Sequence, residues 1–294
     1  MSSDSGGKLD KLRVRRAFDS AAETYDEHAE LQRLVVDRLL ENLDAVRIEP
    51  HTILDIGAGT GYCSRALARR YRGARTLLLD LAPSMLAFAR SKTKRWRSSH
   101  SYICADAEAL PVTDAAVDFV FSSLTFQWCE DLDRLFAECR RVLKQPGLLL
   151  FSSLGPDTLQ ELRYAWAGVD PSPRVNPFID MHDVGDALIR AGFDAPVLET
   201  ELITVNYDDV RGVMRDLRGT GAVNSLRGRR RGLSTPAAWR RMVERYEGLR
   251  RNDKLPATFE VVYAHAWCPE PGRATGDPKN TVATFPAANV RRRR

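Results

Sequence analysis

Ile53-Leu54-Asp55-Ile56-Gly57-Ala58-Gly59-Thr60-Gly61 is the stretch that decides how this chain folds. Thr52–Ile56 is a short apolar strand candidate, and Gly61–Tyr71 has the spacing of a helix. Between them, alternate glycines allow a tight turn and a close approach of backbone to a ligand. The start of the helix offers N–H groups and a positive dipole end to a carboxylate or phosphate. Asp80 ends the next strand candidate, Thr76–Asp80, 23 residues after Gly57. A carboxylate in that place can accept hydrogen bonds from two ribose hydroxyls.

Outward from this unit, short apolar runs alternate with amphipathic stretches. Pro83–Arg90 reads as a helix, Tyr102–Cys104 and Val117–Phe121 as strands, and Leu132–Leu143 as a helix stopped before Pro146-Gly147. Leu148–Phe151 is a fifth strand. Such alternation predicts an α/β fold with a mostly parallel sheet covered on both faces. Helices are then expected over Pro156–Ala167 and Met181–Ala191, separated by a loop over Asp170–Pro177. Strands six and seven are expected at Val197–Val205 and Ala257–Trp267. Residues 206–256 between them are too many for a simple connection and read as an Arg-rich helical insertion, a second lid. Upstream, helical patterns at Lys11–Thr24 and Glu30–Val46 make residues 11–50 an N-terminal helical lid on a domain spanning 51–268. Residues 1–10 and 269–294 read as a disordered lead and tail.

The composition, 44% hydrophobic and 28% charged, is that of a globular chain. The net charge of +5 owes four units to Arg291–Arg294. Basicity is otherwise local, with twelve arginines against three acids between Arg211 and Arg251. That segment suits an acidic partner or is a solvated helix face. Arg227–Arg231 lacks aromatic interleaving beyond Trp239 and Tyr246, so no nucleic acid is expected. Five scattered cysteines without a CxxC suit a reducing cytoplasm, and dispersed histidines suggest no metal. No 18-residue apolar run or signal segment appears, so no membrane partner is expected.

The loop departs from the dinucleotide pattern GxGxxG, which disfavours a NAD-dependent oxidoreductase. Asp55-x-Gly57-x-Gly59-x-Gly61 instead resembles motif I of the class I S-adenosylmethionine-dependent methyltransferases. Later segments agree in order: Cys104-Ala105-Asp106-Ala107-Glu108-Ala109-Leu110-Pro111, Val117-Asp118-Phe119-Val120-Phe121-Ser122, and Arg141-Val142-Leu143-Lys144-Gln145-Pro146-Gly147. The resemblance implies a Rossmann-like sheet of seven strands and S-adenosyl-L-methionine as cofactor. It implies that Gly57, Gly59 and Gly61 cradle the methionine end and that Asp80 holds the ribose. Met85 packs on the adenine and Asp106 brackets it, with Asp55, Ala107 and Ser122 in the matching segments.

Four further stretches narrow the resemblance. These are Arg16–Gln32, Thr125-Phe126-Gln127-Trp128, Phe151–Leu162 and Asp216-Leu217-Arg218-Gly219-Thr220-Gly221-Ala222-Val223-Asn224. They are similar to the malonyl-acyl-carrier-protein O-methyltransferases of biotin synthesis, as is Val175–Asp186. The resemblance implies methylation of the free carboxylate of malonyl-acyl carrier protein. Tyr25 would then donate to that carboxylate, and Gln127 and Trp128 would wall the transfer cavity. Pro177 stands where some relatives carry an arginine, which leaves Arg174 and Arg218 as candidates for the malonyl carboxylate. Arg229, Arg230 and Arg231 would face the acidic carrier. An arginine-hydroxylating assembly factor of respiratory complex I resembles the same family, and other small-molecule or RNA methyltransferases share the fold; both remain alternatives at this point.

Overall fold

The structure, a computed structural model, describes residues 8–93, 99–230, 232 and 234–269. In chain order the helices are α1 (Lys11–Ala21), α2 (Tyr25–His28), α3 (Glu30–Asn42), α4 (Tyr62–Arg70), α5 (Pro83–Ser91), α6 (Leu132–Val142), α7 (Gln160–Ala167), α8 (Met181–Arg190), α9 (Val210–Gly219) and α10 (Pro236–Glu247). The strands are β1 (Thr52–Ile56), β2 (Arg75–Asp80), β3 (His100–Cys104), β4 (Val117–Ser123), β5 (Leu143–Leu154), β6 (Asp194–Tyr207) and β7 (Leu255–Cys268). They form one sheet in the order β3-β2-β1-β4-β5-β7-β6. Pairings from β3 to β5 are parallel, and β7 runs antiparallel to both β5 and β6. The order reverses between β1 and β4, and ligands of open α/β sheets bind at such a switch point.

Among the described residues, five of the ten helices, α1, α6, α8, α9 and α10, begin where a short acceptor side chain caps them. Asp10 accepts from the Arg13 amide at 3.1 Å, and Asp131 accepts from the Arg134 amide at 2.9 Å. The sheet separates two apolar clusters, as a doubly covered sheet requires. On one face α3 inserts Val35, Leu39 and Leu43, all at 0% exposure, in a cluster with Ile53, Phe119 and Phe121. On the other, α6 supplies Leu135, Phe136, Cys139 and Val142, and α8 supplies Val184, Ala187 and Leu188. The third helix therefore belongs to the core layer, and only α1 and α2 remain above the sheet ends.

Several boundaries differ from the sequence reading for physical reasons. The fifth strand runs from Leu143, which pairs with Val117 of β4, rather than from Leu148, and on to Leu154, because β7 pairs with it from Gly147 through Leu154. The helix expected from Pro156 starts at Gln160, since the preceding backbone is held by β7. Gly155 N–H donates to the Glu260 carbonyl at 2.8 Å and Leu159 N–H to the Thr258 carbonyl at 2.6 Å. The expected disordered lead is ordered from Lys8: Leu9 is buried and pairs with Leu226. The rest of that lead and the tail from residue 270 lie outside the described residues. β6 and β7 stay paired as far as Tyr207 and Leu255, so the insertion leaves and returns at one point of the sheet. No helix among the described residues is long and apolar enough to cross a membrane.

Replacing Leu39 by alanine removes a fully buried side chain from the α3–sheet contact. The expected cost is about 2–5 kcal/mol of unfolding free energy, read as a lower urea midpoint with an unchanged slope. A loss below 0.5 kcal/mol would show α3 to be a peripheral cover, not core.

Candidate active site

At the carboxyl end of β1 the backbone turns through positive φ at Gly57 (72°), Gly59 (51°) and Gly61 (77°). The turn is clamped to β2, because Gly57 and Ala58 N–H both donate to the Leu79 carbonyl, at 2.7 and 3.0 Å. A side chain on Gly57 would collide with Thr125, whose Oγ1 lies 1.9 Å from the ideal Cβ position. Gly59 has open space beside it, its nearest neighbour being the Gly57 carbonyl at 4.0 Å. Gly61 caps α4, and a Cβ added to it would lie 3.1 Å from the Ala89 side chain on α5. The three glycines thus divide the work of tight packing, open access and helix entry.

Asp80, at the end of β2, accepts from Gly59 N–H at 2.9 Å and from Ala82 N–H at 2.8 Å. Burial raises its pKa to about 6, against the pull of those N–H donors. Each oxygen retains a lone pair for a further donor. Around it, Gly57, Gly59, Met85, Asp106 and Ala107 line one crevice, and Asp55, Thr60 and Ser123 continue it past the glycine turn. Met85 is 1% exposed and packs with Ala21, Ala22 and Ala82. Asp55 sits beneath the turn at 2% exposure, accepting from the Ser64 hydroxyl, and burial raises its pKa to about 7.

The amino-terminal segment closes over this crevice through charged tethers. Lys11 pairs with Asp106 and Glu108, Asp19 accepts from Ser84 N–H at 2.9 Å, and Asp26 accepts from the Thr60 hydroxyl at 2.7 Å while pairing with Lys92. Tyr25, at the first turn of α2, lines both parts of the crevice and a third, larger cavity. Burial, then the Asp80 and Asp26 carboxylates, push its phenol far above the ordinary value, so the hydroxyl keeps its proton.

The larger cavity, about 430 Å³, lies under the insertion. Gln127 and Trp128 stand on its wall in a short 3-10 turn, Trp128 edge-on to Phe18 with ring centroids 5.4 Å apart. Gln127 donates to the Leu124 carbonyl at 2.7 Å, leaving its amide oxygen buried and unpartnered among the described residues. The Gln32 amide oxygen and the Arg174 Nε–H are left in the same condition on the same wall. Arg174 is held by Asp170 and lies 4.3 Å over the Trp166 ring.

The sequence-predicted residues therefore gather unevenly. Gly57, Gly59, Asp80, Met85, Asp106 and Ala107 share one crevice, while Tyr25, Gln127, Trp128 and Arg174 share the cavity that adjoins it. Ser122 does not join them. Its side chain is fully buried and donates to the Ile56 carbonyl at 2.9 Å, and strand alternation turns Ser123 toward the crevice instead. Arg218 and Arg229 line a separate groove, Arg230 is drawn to Asp170 at 3.2 Å, and Arg231 lies outside the described residues. Lys11, Asp26, Thr60 and Gln32 were missed, because no short-range pattern distinguishes partners far apart in the chain.

Comparison with known proteins agrees with this geometry. A family model described as a methyltransferase domain matches residues 54–151. The malonyl-[acyl-carrier protein] O-methyltransferase of Gallionella capsiferriformans is 50% identical over 268 residues, covering 90% of this chain and 92% of that protein. The protein of the same name from Methylovorus sp. is 50% identical over 287 residues, covering 96% and 97%. Among solved structures, phosphoethanolamine N-methyltransferase 2 of Haemonchus contortus, in complex with phosphomonomethylethanolamine and S-adenosylhomocysteine, aligns with a TM-score of 0.55 at 17% identity. That alignment spans 89% of this chain and 60% of that one, and it shows the fold.

Asp55 carries a pH signature. An acid whose folded pKa is raised favours the native state most below its unfolded value and loses that contribution as pH rises through the folded one. With a folded value of about 7, the loss falls between about pH 4 and 7. Asp55→Asn should remove it, so the variant's stability relative to wild type should improve by about 2–4 kcal/mol from pH 4.5 to 7.5. Urea titrations at the two pH values measure this; a gap that does not change with pH refutes the buried neutral carboxyl.

Proposed function

The chain belongs to the malonyl-[acyl-carrier protein] O-methyltransferase family, and from that membership we propose how its own residues methylate the malonyl carboxylate. The protein is an S-adenosylmethionine-dependent methyltransferase of Rossmann-like fold. Relatives half identical over nearly the whole chain favour this reading over an assembly factor or an RNA methyltransferase. The acceptor is the free carboxylate of a malonyl thioester on acyl carrier protein, and the product is its methyl ester. Free thiols at all five cysteines suit a reducing cytoplasm as the place of work.

The observation that carries the mechanism is the position of Tyr25, which lines the crevice and the larger cavity together. The crevice residues fit the cofactor: open space at Gly59, spare lone pairs on Asp80, the Met85 side chain and the Asp106 carboxylate. When bound, the cofactor supplies an electrophilic methyl group on a sulfonium. The rest is positioning by the chain. A carboxylate is ionised at neutral pH, so no general base is required. Tyr25, held protonated, donates to one carboxylate oxygen and leaves the other free to attack. Arg174 supplies the countercharge through its unpartnered Nε–H, with Asp170 and Trp166 fixing the guanidinium plane. Trp128 and Phe18 wall the junction and exclude water, while α1 and α2 act as the lid.

Wild-type protein with labelled cofactor should methylate malonyl-carrier protein and leave acetyl-carrier protein unmodified, read by mass spectrometry. Tyr25→Phe keeps the ring and its packing. It should retain the melting temperature and cofactor affinity while lowering turnover about ten- to a hundredfold, the loss expected from about 1.4–2.7 kcal/mol of transition-state contact. Full activity in the folded variant would remove Tyr25 from the chemistry, and methylation of acetyl-carrier protein would remove the carboxylate acceptor.

A further inference from the structure

Two basic helix faces confront each other across a groove of about 890 Å³ on the outer side of the insertion. One wall is α1, presenting Arg13 and Arg16; the other is α9, presenting Arg211, Arg215 and Arg218. The three- and four-residue spacings put each set on a single helical face. Arg229 lines the same groove. Among the described residues Asp10 is the only carboxylate on its wall, and it is already engaged by the Arg13 amide and by Arg229 at 3.9 Å. Arg13 donates through Nε to the Asn224 carbonyl. Burial, and then Arg229 beside it, pull its pKa below the ordinary range.

Among the described residues, Arg16, Arg211, Arg215 and Arg218 have no carboxylate within ion-pairing distance. Elsewhere this surface pairs its arginines readily, as Arg70 with Asp44, Arg141 with Asp114 and Arg190 with Asp133. Opposed guanidinium groups without counterions repel one another, and a multiply bonding anion between them relieves that repulsion. The groove also adjoins the reaction cavity, since His28 and Val223 line both. His28 is fixed there by Asp216 at 2.8 Å and lies directly against the Gly219 backbone, where a Cβ would sit 2.2 Å from the ring.

We propose that this groove binds a phosphate ester, namely the phosphodiester at the far end of the pantetheine arm that delivers the malonyl thioester. The inference rests on the substrate reading above. An acyl group on a carrier protein hangs from such an arm, with the carboxylate at one end and the phosphate at the other. The cavity beneath the insertion takes the first and the arginine groove takes the second. The arm passes between them beside His28 and Val223. Phosphate recognition by several guanidinium groups is bidentate and charge-assisted, which a single lysine-type contact does not reproduce.

The test compares malonyl-pantetheine, malonyl-4′-phosphopantetheine and malonyl-carrier protein as acceptors for the wild type and for Arg16→Gln/Arg215→Gln. In the wild type the phosphate should lower KM at least tenfold relative to malonyl-pantetheine. The double variant should erase that difference, raise KM for the carrier-bound substrate by a similar factor and leave kcat within twofold. Arg16→Lys/Arg215→Lys should recover only part of the loss. Calorimetry with 4′-phosphopantetheine and pantetheine provides a readout independent of turnover, with the phosphorylated arm binding wild type at least tenfold tighter than the variant. A variant impaired on the carrier-bound substrate alone would mean that the groove reads the carrier's acidic surface, and the phosphate assignment would be wrong. If no thioester is methylated, the substrate reading fails, and the calorimetric difference alone decides the groove.

Discussion

Everything above the sheet depends on the carboxylate of Asp80. It sits at the end of β2, beside the switch point, and takes backbone N–H donors from the glycine turn and from the entry to α5. It ties the glycine turn to the entry of α5, beside the clamp that the Gly57 and Ala58 N–H groups make on the Leu79 carbonyl. The same burial that strengthens these bonds raises the cost of its charge, hence a pKa near 6. Burial of Tyr25, and then the field of that carboxylate, raise the phenol pKa and keep it a donor. A single acidic side chain thus shapes the floor of the crevice and adds to the burial that keeps the residue above it protonated.

The lid is held by polar contacts where the core is held by apolar ones. Its tethers, Lys11 to Asp106 and Glu108 and Asp26 to Thr60 and Lys92, are partly exposed, and such pairs contribute modestly. Phe18, Tyr25, Ala21 and Ala22 add a small apolar contact with Ala82 and Met85. The α3 helix immediately downstream is anchored by fully buried aliphatic side chains. This contrast gives the chain a firm hinge and a weakly held cover. Substrate must enter past the cover, and water must be excluded once it has entered.

How much of this was legible in the sequence follows from range. Strands β1, β2 and β4 were readable because buried parallel strands are continuous apolar runs bounded by turns, whereas the edge strand β3, with no buried residue, was read two residues short. β6 and the far end of β5 were read too short, since that added length comes from pairing with β7, a partner more than a hundred residues away from β5. The crevice was readable because its residues fall at the ends of recognisable strands. Ser122 was misplaced by one position, and in a strand one position is the difference between the two faces. The arginines were the hardest to read. Their density along the chain drew attention to Arg229–Arg231, but Arg230 is taken by Asp170, sixty residues upstream in the sequence. The unpaired arginines lie instead on helical faces that only the fold brings together.

Charge also explains why the reaction cavity is built as it is. The malonyl carboxylate enters as an anion and leaves as a neutral ester, so every contact that favours the anion weakens in the product. In the proposed mechanism Arg174 and Tyr25 therefore hold the acceptor before transfer and release it afterward without a separate conformational signal. Asp170 tempers this by keeping Arg174 partly neutralised, while Arg230 shares the same carboxylate and restores a net positive charge to the cluster. A low-dielectric cavity adds to the effect, because a reaction that removes an opposite pair of charges is favoured where those charges are poorly solvated. In that mechanism the apolar walls around Trp128 and Phe18, and the polar groups left unpartnered beside them, make the charged acceptor well held and the neutral product poorly held.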